Sequence, residues 1–308
     1  MRVAFFGTSE FAVPALRTLA ESGTDLAGAV TTRERPKGRG LTLQPSPVKA
    51  AALQLGIPVL EPENPNDREF VLQLGELRPE VIVLAAYRFI LKPELLAVPT
   101  RGCLNIHPSL LPRYRGAAPV QRAIMAGETR TGVSVFLMNE KLDQGDVILQ
   151  ESVEIDANET GGELTLRLAE LGARLVIDGL RRLESGSYQR APQTSDPGSY
   201  AAKISKDERW IDWRLPAGTL HNLVRALAPM PAACTMLRGK RLEIIKSELM
   251  PDLQGDPGEV TVSGRQVLCA AGAGGIQLLQ VKPEGGKLMS GSDLINGKRA
   301  ASGDRLGE

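Results

Sequence analysis

Asn105 and His107 stand one residue apart at the end of an apolar run, in the stretch Cys103–Gly116, CLNIHPSLLPRYRG. If that run is a strand, alternation sets both side chains on one face at its C-terminal end. Asn offers an amide donor, and His gives or takes a proton near neutral pH. Pro108 and Pro112 stiffen the chain beyond the strand, and Gly116 frees it before the next helix. Further on, Leu142-Asp143-Gln144-Gly145-Asp146 brings a carboxylate that can pair with the imidazole and hold it charged. Each residue also has a plain structural reading. A lone His is more often a hydrogen-bonded core group, Asn at a strand end caps turns, and Asp before Gln-Gly is turn chemistry. His221, the other histidine, takes that plain reading.

The elements that must position these residues follow from hydrophobic periodicity. Val3–Phe6 reads as a buried strand, and Gly7-Thr8-Ser9-Glu10 turns into a helix to about Glu21. Strands at Leu26–Thr31, Ile57–Leu60, Val81–Ala85 and Gly102–Ile106 alternate with helices at 47–55, 67–77 and 92–97. A helix at 117–126, strands at 132–138 and 147–155, and a long helix at 163–183 complete an α/β sheet domain. Gly172 inside the long helix marks a candidate bend. The first turn has one Gly in place of G-x-G-x-x-G, which disfavours a nicotinamide enzyme. Residues 184–206 shift to Ser, Pro, Gly and Gln, as a linker does. A helix at 217–227 and five short strands, Ala233–Leu237, Leu242–Ile245, Glu259–Val262, Gln266–Ala270 and Ile276–Val281, separated by Gly-rich turns, then fit a small barrel or sandwich. The expected domains are therefore 1–185, a linker at 186–205, and 206–308.

The segment 33–47, RERPKGRGLTLQPSP, is long for a strand-to-helix connection and carries Arg33, Arg35, Lys37 and Arg39 against Glu34. A solvated surface loop and a phosphate-contacting loop both fit it. The formal net charge of +1 over 308 residues gives no footprint of a strongly basic nucleic-acid binder, so such a role needs local patches. Three scattered cysteines, Cys103, Cys234 and Cys269, suit reduced structural thiols and a cytosolic protein, not a metal site. The N-terminus does not read as a signal peptide, and Val81–Tyr87 is far too short to span a bilayer.

The run N-x-H-P-S-L-L-P-R-Y-R-G-A-A-P with L-D-x-G-D downstream resembles the folate-dependent formyltransferases, most closely those acting on methionyl-tRNA. The resemblance extends to R-P-K-G-R-G with P-S-P-V-K in the basic segment, to K-I-S-K-D-E then I-D-W, and to N-G-K-R with G-D-R-L near residue 305. It implies a Rossmann-like formyltransferase sheet domain followed by an OB-like β-barrel, and a monomer using 10-formyltetrahydrofolate as donor without a metal. Asn105, His107 and Asp143 would be catalytic. The oxyanion that develops as an amine attacks the formyl carbon would meet the Asn105 amide and a charged His107. Asp143, His107 and water remain open as acceptors of the amine proton. Ser109, Leu110, Leu111 and Pro112, with Phe89, Ile90 and Leu91, would border the folate, the latter segment largely through main-chain groups. Arg33, Arg35, Lys37, Arg39 and Lys206 would contact the acceptor arm of initiator methionyl-tRNA. The departures are Arg88, where many members have Gly, and the Ala228-Pro229-Met230-Pro231 segment, where Trp is common. The catalytic motif is shared with formyltransferases acting on amino sugar nucleotides, which form the alternative. A non-catalytic RNA-binding module is disfavoured because Asn105, His107 and Asp143 are all present.

Overall fold

The computed structural model describes residues 1–37, 42–193 and 198–307. Its contacts define two compact units. One comprises Met1–Gly116, Thr131–Val153 and Thr165–Ala201; the other comprises Ala117–Arg130, Glu154–Leu164 and Ala202–Glu308.

The first unit opens with β1 (Arg2–Gly7), α1 (Val13–Glu21), β2 (Asp25–Val30), β3 (Arg35–Lys37) and β4 (Thr42–Gln44). It continues through α2 (Pro47–Gln54), β5 (Val59–Leu60), α3 (Arg68–Glu76), β6 (Val81–Ala85), α4 (Pro93–Leu96), β7 (Cys103–His107) and β8 (Arg115–Gly116). After α5 (Pro119–Met125), which belongs to the second unit, come β9 (Arg130–Leu137), β10 (Val147–Glu154), α6 (Gly161–Ser185) and β11 (Tyr200–Ala201). Seven strands form one sheet in the order β10-β9-β7-β6-β1-β2-β5. β7, β6, β1, β2 and β5 run parallel, and β9 runs antiparallel to β7. The central parallel strands are covered on both faces, which is why Val81–Ala85 is apolar and buried at every position. From β1 the chain moves outward to β2 and β5, then returns to β6 on the other side of β1. The β1/β6 gap is thus the switch point at which α/β sheets bind ligands beyond their strand ends.

Local chemistry explains several elements. Ser46 caps α2, accepting from Lys49 N–H at 3.0 Å, and its hydroxyl pairs with Thr31 Oγ1 at 2.7 Å. Helix α6 runs unbroken through Gly172. A Cβ there would lie 2.5 Å from Ile106 Cγ2, so Gly172 serves close approach of α6 to β7 and not the bend expected of it. The segment 33–47, expected to be a loop, contains the antiparallel pair β3–β4.

The second unit adds α7 (Ala217–Leu227), β12 (Ala233–Leu237), β13 (Lys240–Met250), β14 (Val260–Ser263), β15 (Gln266–Ala270), β16 (Gly275–Pro283), β17 (Met289–Ser290) and α8 (Gly291–Asn296). Its antiparallel sheet runs β12-β13-β16-β15-β14, with β17 against β16. The two end strands are joined by a short later segment. Leu306 bridges Leu237, and Arg305 bridges Glu259. Val260 N–H donates to Asp304 O at 2.8 Å and Gly307 N–H to Met236 O at 2.9 Å. Residues 304–307 therefore stitch β12 to β14 and close the sheet into a barrel around Leu220, Val224, Ile244, Val267, Ile276 and Leu278.

Two groups on α7 hold the borrowed segment 154–164. His221 Nε2–H donates to Ala157 O at 3.2 Å, so Nδ1 accepts from the Ser247 hydroxyl at 3.0 Å. Arg225 Nη1 donates to Asp156 O and Glu159 O at 3.2 and 3.3 Å. Burial pulls the His221 pKa below its ordinary value, and the Arg225 charge adds to this. Unfolded His221 takes a proton near pH 6.5 while the folded residue resists it, so the unfolded state binds more protons in that window. Stability is expected to fall as pH drops below about 6.5. Urea melts at pH 7.5 and 5.5 check this, because His221→Gln should flatten that part of the pH dependence. An equal slope in parent and variant would assign it to other groups.

Candidate active site

β7 delivers Asn105 and His107 as alternation requires, both buried and on the same face as Cys103. The register partners Phe6, Leu84 and Asn105 lie side by side on that face, one from each of β1, β6 and β7. His107 is fixed from two sides. Nε2 lies 2.9 Å from Tyr114 O, and since a carbonyl only accepts, Nε2 carries the proton. Nδ1 faces Asp143 Oδ2 at 3.8 Å. A neutral ring would point a lone pair at the carboxylate, whereas a proton on Nδ1 turns the approach into an ion pair. The distance exceeds that of a hydrogen bond and suits a third atom touching both groups.

Asp143 comes from the loop between β9 and β10, with its backbone at φ +51°. Its Oδ2 accepts the Gly116 N–H at 2.8 Å. Gly145 lets the loop lie on β9: a Cβ there would fall 1.6 Å from Leu137 O. Gln193 secures the loop, its Nε2 donating to Asp143 O at 2.8 Å and Gly145 O at 2.9 Å. The Gln193 Oε1 accepts from Arg115 Nε at 2.9 Å. Tyr114 N–H donates to Ser199 Oγ at 2.8 Å, and β8 pairs with β11 in parallel. Residues expected to form a linker thus tie the two catalytic loops together. Gln193 and Ser199 carry no local signal, since their partners lie about 50 to 85 positions away.

The residues expected to border a folate separate into two kinds. Ser109 is fully buried, with its hydroxyl on Arg113 O at 2.7 Å, so it shapes the turn instead of facing a ligand. Leu111 packs with Phe136 and Val147. Leu91 lies in the core beside Phe6 and Leu84. The side chains of these three residues are buried, which leaves the main chain of their segments as the part that can border a ligand. Leu110 and Pro112 are half-buried, Phe89 is half-buried and Ile90 is exposed. Ser134 and Gln150 brace the 109–112 turn: Ser134 Oγ donates to Ser109 O at 2.6 Å, and Gln150 Nε2 donates to Leu111 O at 2.8 Å. Arg88 is exposed, with its guanidinium over the Phe89 ring at 5.9 Å. Burial pushes the Cys103 thiol up to about 12, which leaves no thiolate for a nucleophilic role.

Of the expected nucleic-acid contacts, Arg33 is exposed and salt-bridged to Glu63 at 3.7 Å. Arg35 and Lys37 lie on β3, Arg39 lies outside the described residues, and Lys206 is exposed in the second unit. Lys49, at the foot of this segment, bonds Glu61 at 2.7 Å and Glu34 at 3.1 Å, and these bonds raise its pKa. Among the described residues no helix is long and apolar enough to cross a membrane.

A carboxylate-backed imidazole and an amide at the C-terminal end of β7, one strand from the switch point, suit the chemistry of acyl transfer. Comparison with known proteins identifies the class. Residues 1–180 match the family model described as "Formyl transferase", and residues 203–299 match "Formyl transferase, C-terminal domain". A protein of Moorella thermoacetica named methionyl-tRNA formyltransferase is 43% identical over 309 residues, spanning 100% of this chain and 99% of its own. One of the same name from Rhizobium meliloti is 44% identical over 311 residues, spanning 99% of each. Among solved structures, an N-formyltransferase from Helicobacter canadensis in complex with folinic acid and dTDP-3-aminofucose aligns with TM-score 0.67 at 20% identity. That alignment covers 90% of this chain and 98% of the other. HypX from Aquifex aeolicus in complex with tetrahydrofolic acid aligns with TM-score 0.65 at 18% identity, covering 96% of this chain and 47% of the other. The chain belongs to the formyl transferase family and groups with its methionyl-tRNA formyltransferases.

Proposed function

We propose that this enzyme moves the formyl group of 10-formyltetrahydrofolate to the α-amino group of methionyl-tRNA, the reaction that prepares the initiator for translation. The observation that carries the substrate is full-length similarity above 40% to relatives of that name, including the second unit. The site supports the chemistry. The amine nitrogen forms a bond to the formyl carbon, the bond from that carbon to the folate nitrogen breaks, and that nitrogen takes up a proton. The Asn105 amide and a charged His107 offset the transient oxyanion, and Asp143 holds the imidazolium. The amine must arrive neutral, and with the imidazole charged the Asp143 carboxylate and solvent are the groups left to receive its proton. The donor's ring lies against the main chain of 87–91 and of the 109–112 turn. Arg33, Arg35, Lys37, Arg39 and Lys206 contact phosphates of the tRNA acceptor arm.

The direct test is formyl transfer from 10-formyltetrahydrofolate to methionyl-tRNA, run beside free methionine and a 4-amino nucleotide sugar. Transfer to the charged tRNA alone is the expected result. Transfer to the sugar alone would keep the Asn105–His107–Asp143 site and overturn the acceptor. Release of tetrahydrofolate without transfer would make the enzyme a hydrolase.

A further inference from the structure

Among the described residues, four buried side-chain atoms have no hydrogen-bond partner: Thr8 Oγ1, Glu61 Oε1, Tyr87 Oη and Asn105 Oδ1. Glu61 is answered through its other oxygen, which accepts from Lys49. The remaining three share one location. Thr8 follows Ala4 and Phe6 in the alternation of β1, Tyr87 follows β6, and Asn105 is on β7, so the three mark the C-terminal ends of adjacent strands. Tyr87 and Asn105 also share a face. Ala4, Phe6, Leu84 and Cys103 form one core cluster with Tyr87 packed against it, and the Tyr87 ring stands edge-on to Phe6 at 5.2 Å. Thr8 and Tyr87 flank the β1/β6 switch point.

A buried hydroxyl left unpaired costs stability, so two beside a catalytic amide in the same condition indicate a ligand that completes them. The strand order says which ligand. The turns assigned to the donor follow β6 and β7, and the basic segment assigned to the acceptor follows β2. Thr8, at the end of β1, lies between them.

We propose that the Thr8 and Tyr87 hydroxyls position the formyl acceptor by hydrogen-bonding its aminoacyl end, where the ester carbonyl accepts and the amine donates. The assignment rests on the functional reading above. Reaching these hydroxyls requires side-chain movement. The half-buried Phe89, whose ring packs 5.8 Å from Tyr87 between exposed Arg88 and Ile90, is placed to give way.

The test uses Tyr87→Phe and Thr8→Val, which remove each hydroxyl and keep its shape, in the full chain. Each is expected to raise KM for methionyl-tRNA about tenfold, the worth of one neutral hydrogen bond. KM for 10-formyltetrahydrofolate should stay within twofold, and Tm should be unchanged or higher because an unpaired polar atom has gone. Thr8→Ser should restore the acceptor KM. Acceptor KM within twofold of the parent in both variants would overturn the proposal, whatever Tm does. So would a rise confined to the donor KM. A parent that fails to formylate methionyl-tRNA instead overturns the functional reading, and shows this before any variant is made.

Discussion

Asn105→Ala is expected to lower kcat by two to three orders of magnitude, the usual cost of removing one preorganised oxyanion donor, about 3–4 kcal/mol of transition-state stabilisation. The fold should survive. Asn105 Oδ1 has no partner to lose, and the residue is flanked on β6 and β9 by Leu84 and Phe136, whose packing Ala leaves in place. KM for either substrate should change less than kcat, because the amide acts on charge that appears only in the transition state. His107→Asn should fall at least as far, since it removes the group that Asp143 and Tyr114 O hold between them. Steady-state kinetics beside a thermal melt decide the matter. Turnover within tenfold of the parent in both variants, with Tm preserved, would remove Asn105 and His107 from the chemistry.

The second large effect is expected at a residue that carries no side chain, in the loop that holds Asp143. Gly145→Ala sets a methyl carbon 1.6 Å from Leu137 O, a backbone atom of β9 that cannot swing aside. The loop must lift instead. Asp143 then leaves the Gly116 N–H, and Gln193 loses the carbonyls of Asp143 and Gly145. The substitution should cost about 3 kcal/mol of stability, the upper range for overpacking, and reduce turnover as severely as Asp143→Ala. Gly75→Ala is the control. It lies in α3 with nothing within 4 Å of the new methyl, so it should gain up to about 1 kcal/mol of helix propensity and leave kinetics alone. Equal melts for Gly145→Ala and the parent would mean that the loop is not held against β9 as described.

These two cases show what the chain discloses by itself. Val81–Ala85, Ala217–Leu227, Ala233–Leu237 and Gln266–Ala270 have the ranges their periodicity predicts, because each is read from side chains that alternate or recur without interruption. β13 runs to Met250, well past the expected Leu242–Ile245. Its register against β16 shifts between Ile244 and Ser247, and a bulge of that kind erases the period-two signal. β8 and β11 are two residues each, and no local pattern announces a pair so short. α8 is too short for periodicity to reveal, although Ser290 and Asp293 form a capping box at its start. At the site, Asn105, His107 and Asp143 are legible from type and spacing. Their supports are not. Gln193, Ser134 and Gln150 act through backbone groups 25 to 50 positions away, which composition does not encode. The compact units are equally hidden: helix α5 and the segment 154–164 both belong to the second unit, and the segment is held there by Arg225 and His221 and not announced by any change in composition.

The stitch at 304–307 comes later in sequence than every strand it joins. Trp210 and Ile211 already cover β12 at Cys234, but on the ribosome the outer edge of β14 and the Met236–Leu237 end of β12 wait for their partner until the chain has been read past residue 307. Open strand edges are what unfinished sheets use to recruit one another. A message cut short just before codon 304 would release a polypeptide with these strand edges unpaired, a product suited to proteases and chaperones more than to catalysis. Four residues thus set the moment in synthesis at which the second unit stops being an aggregation hazard.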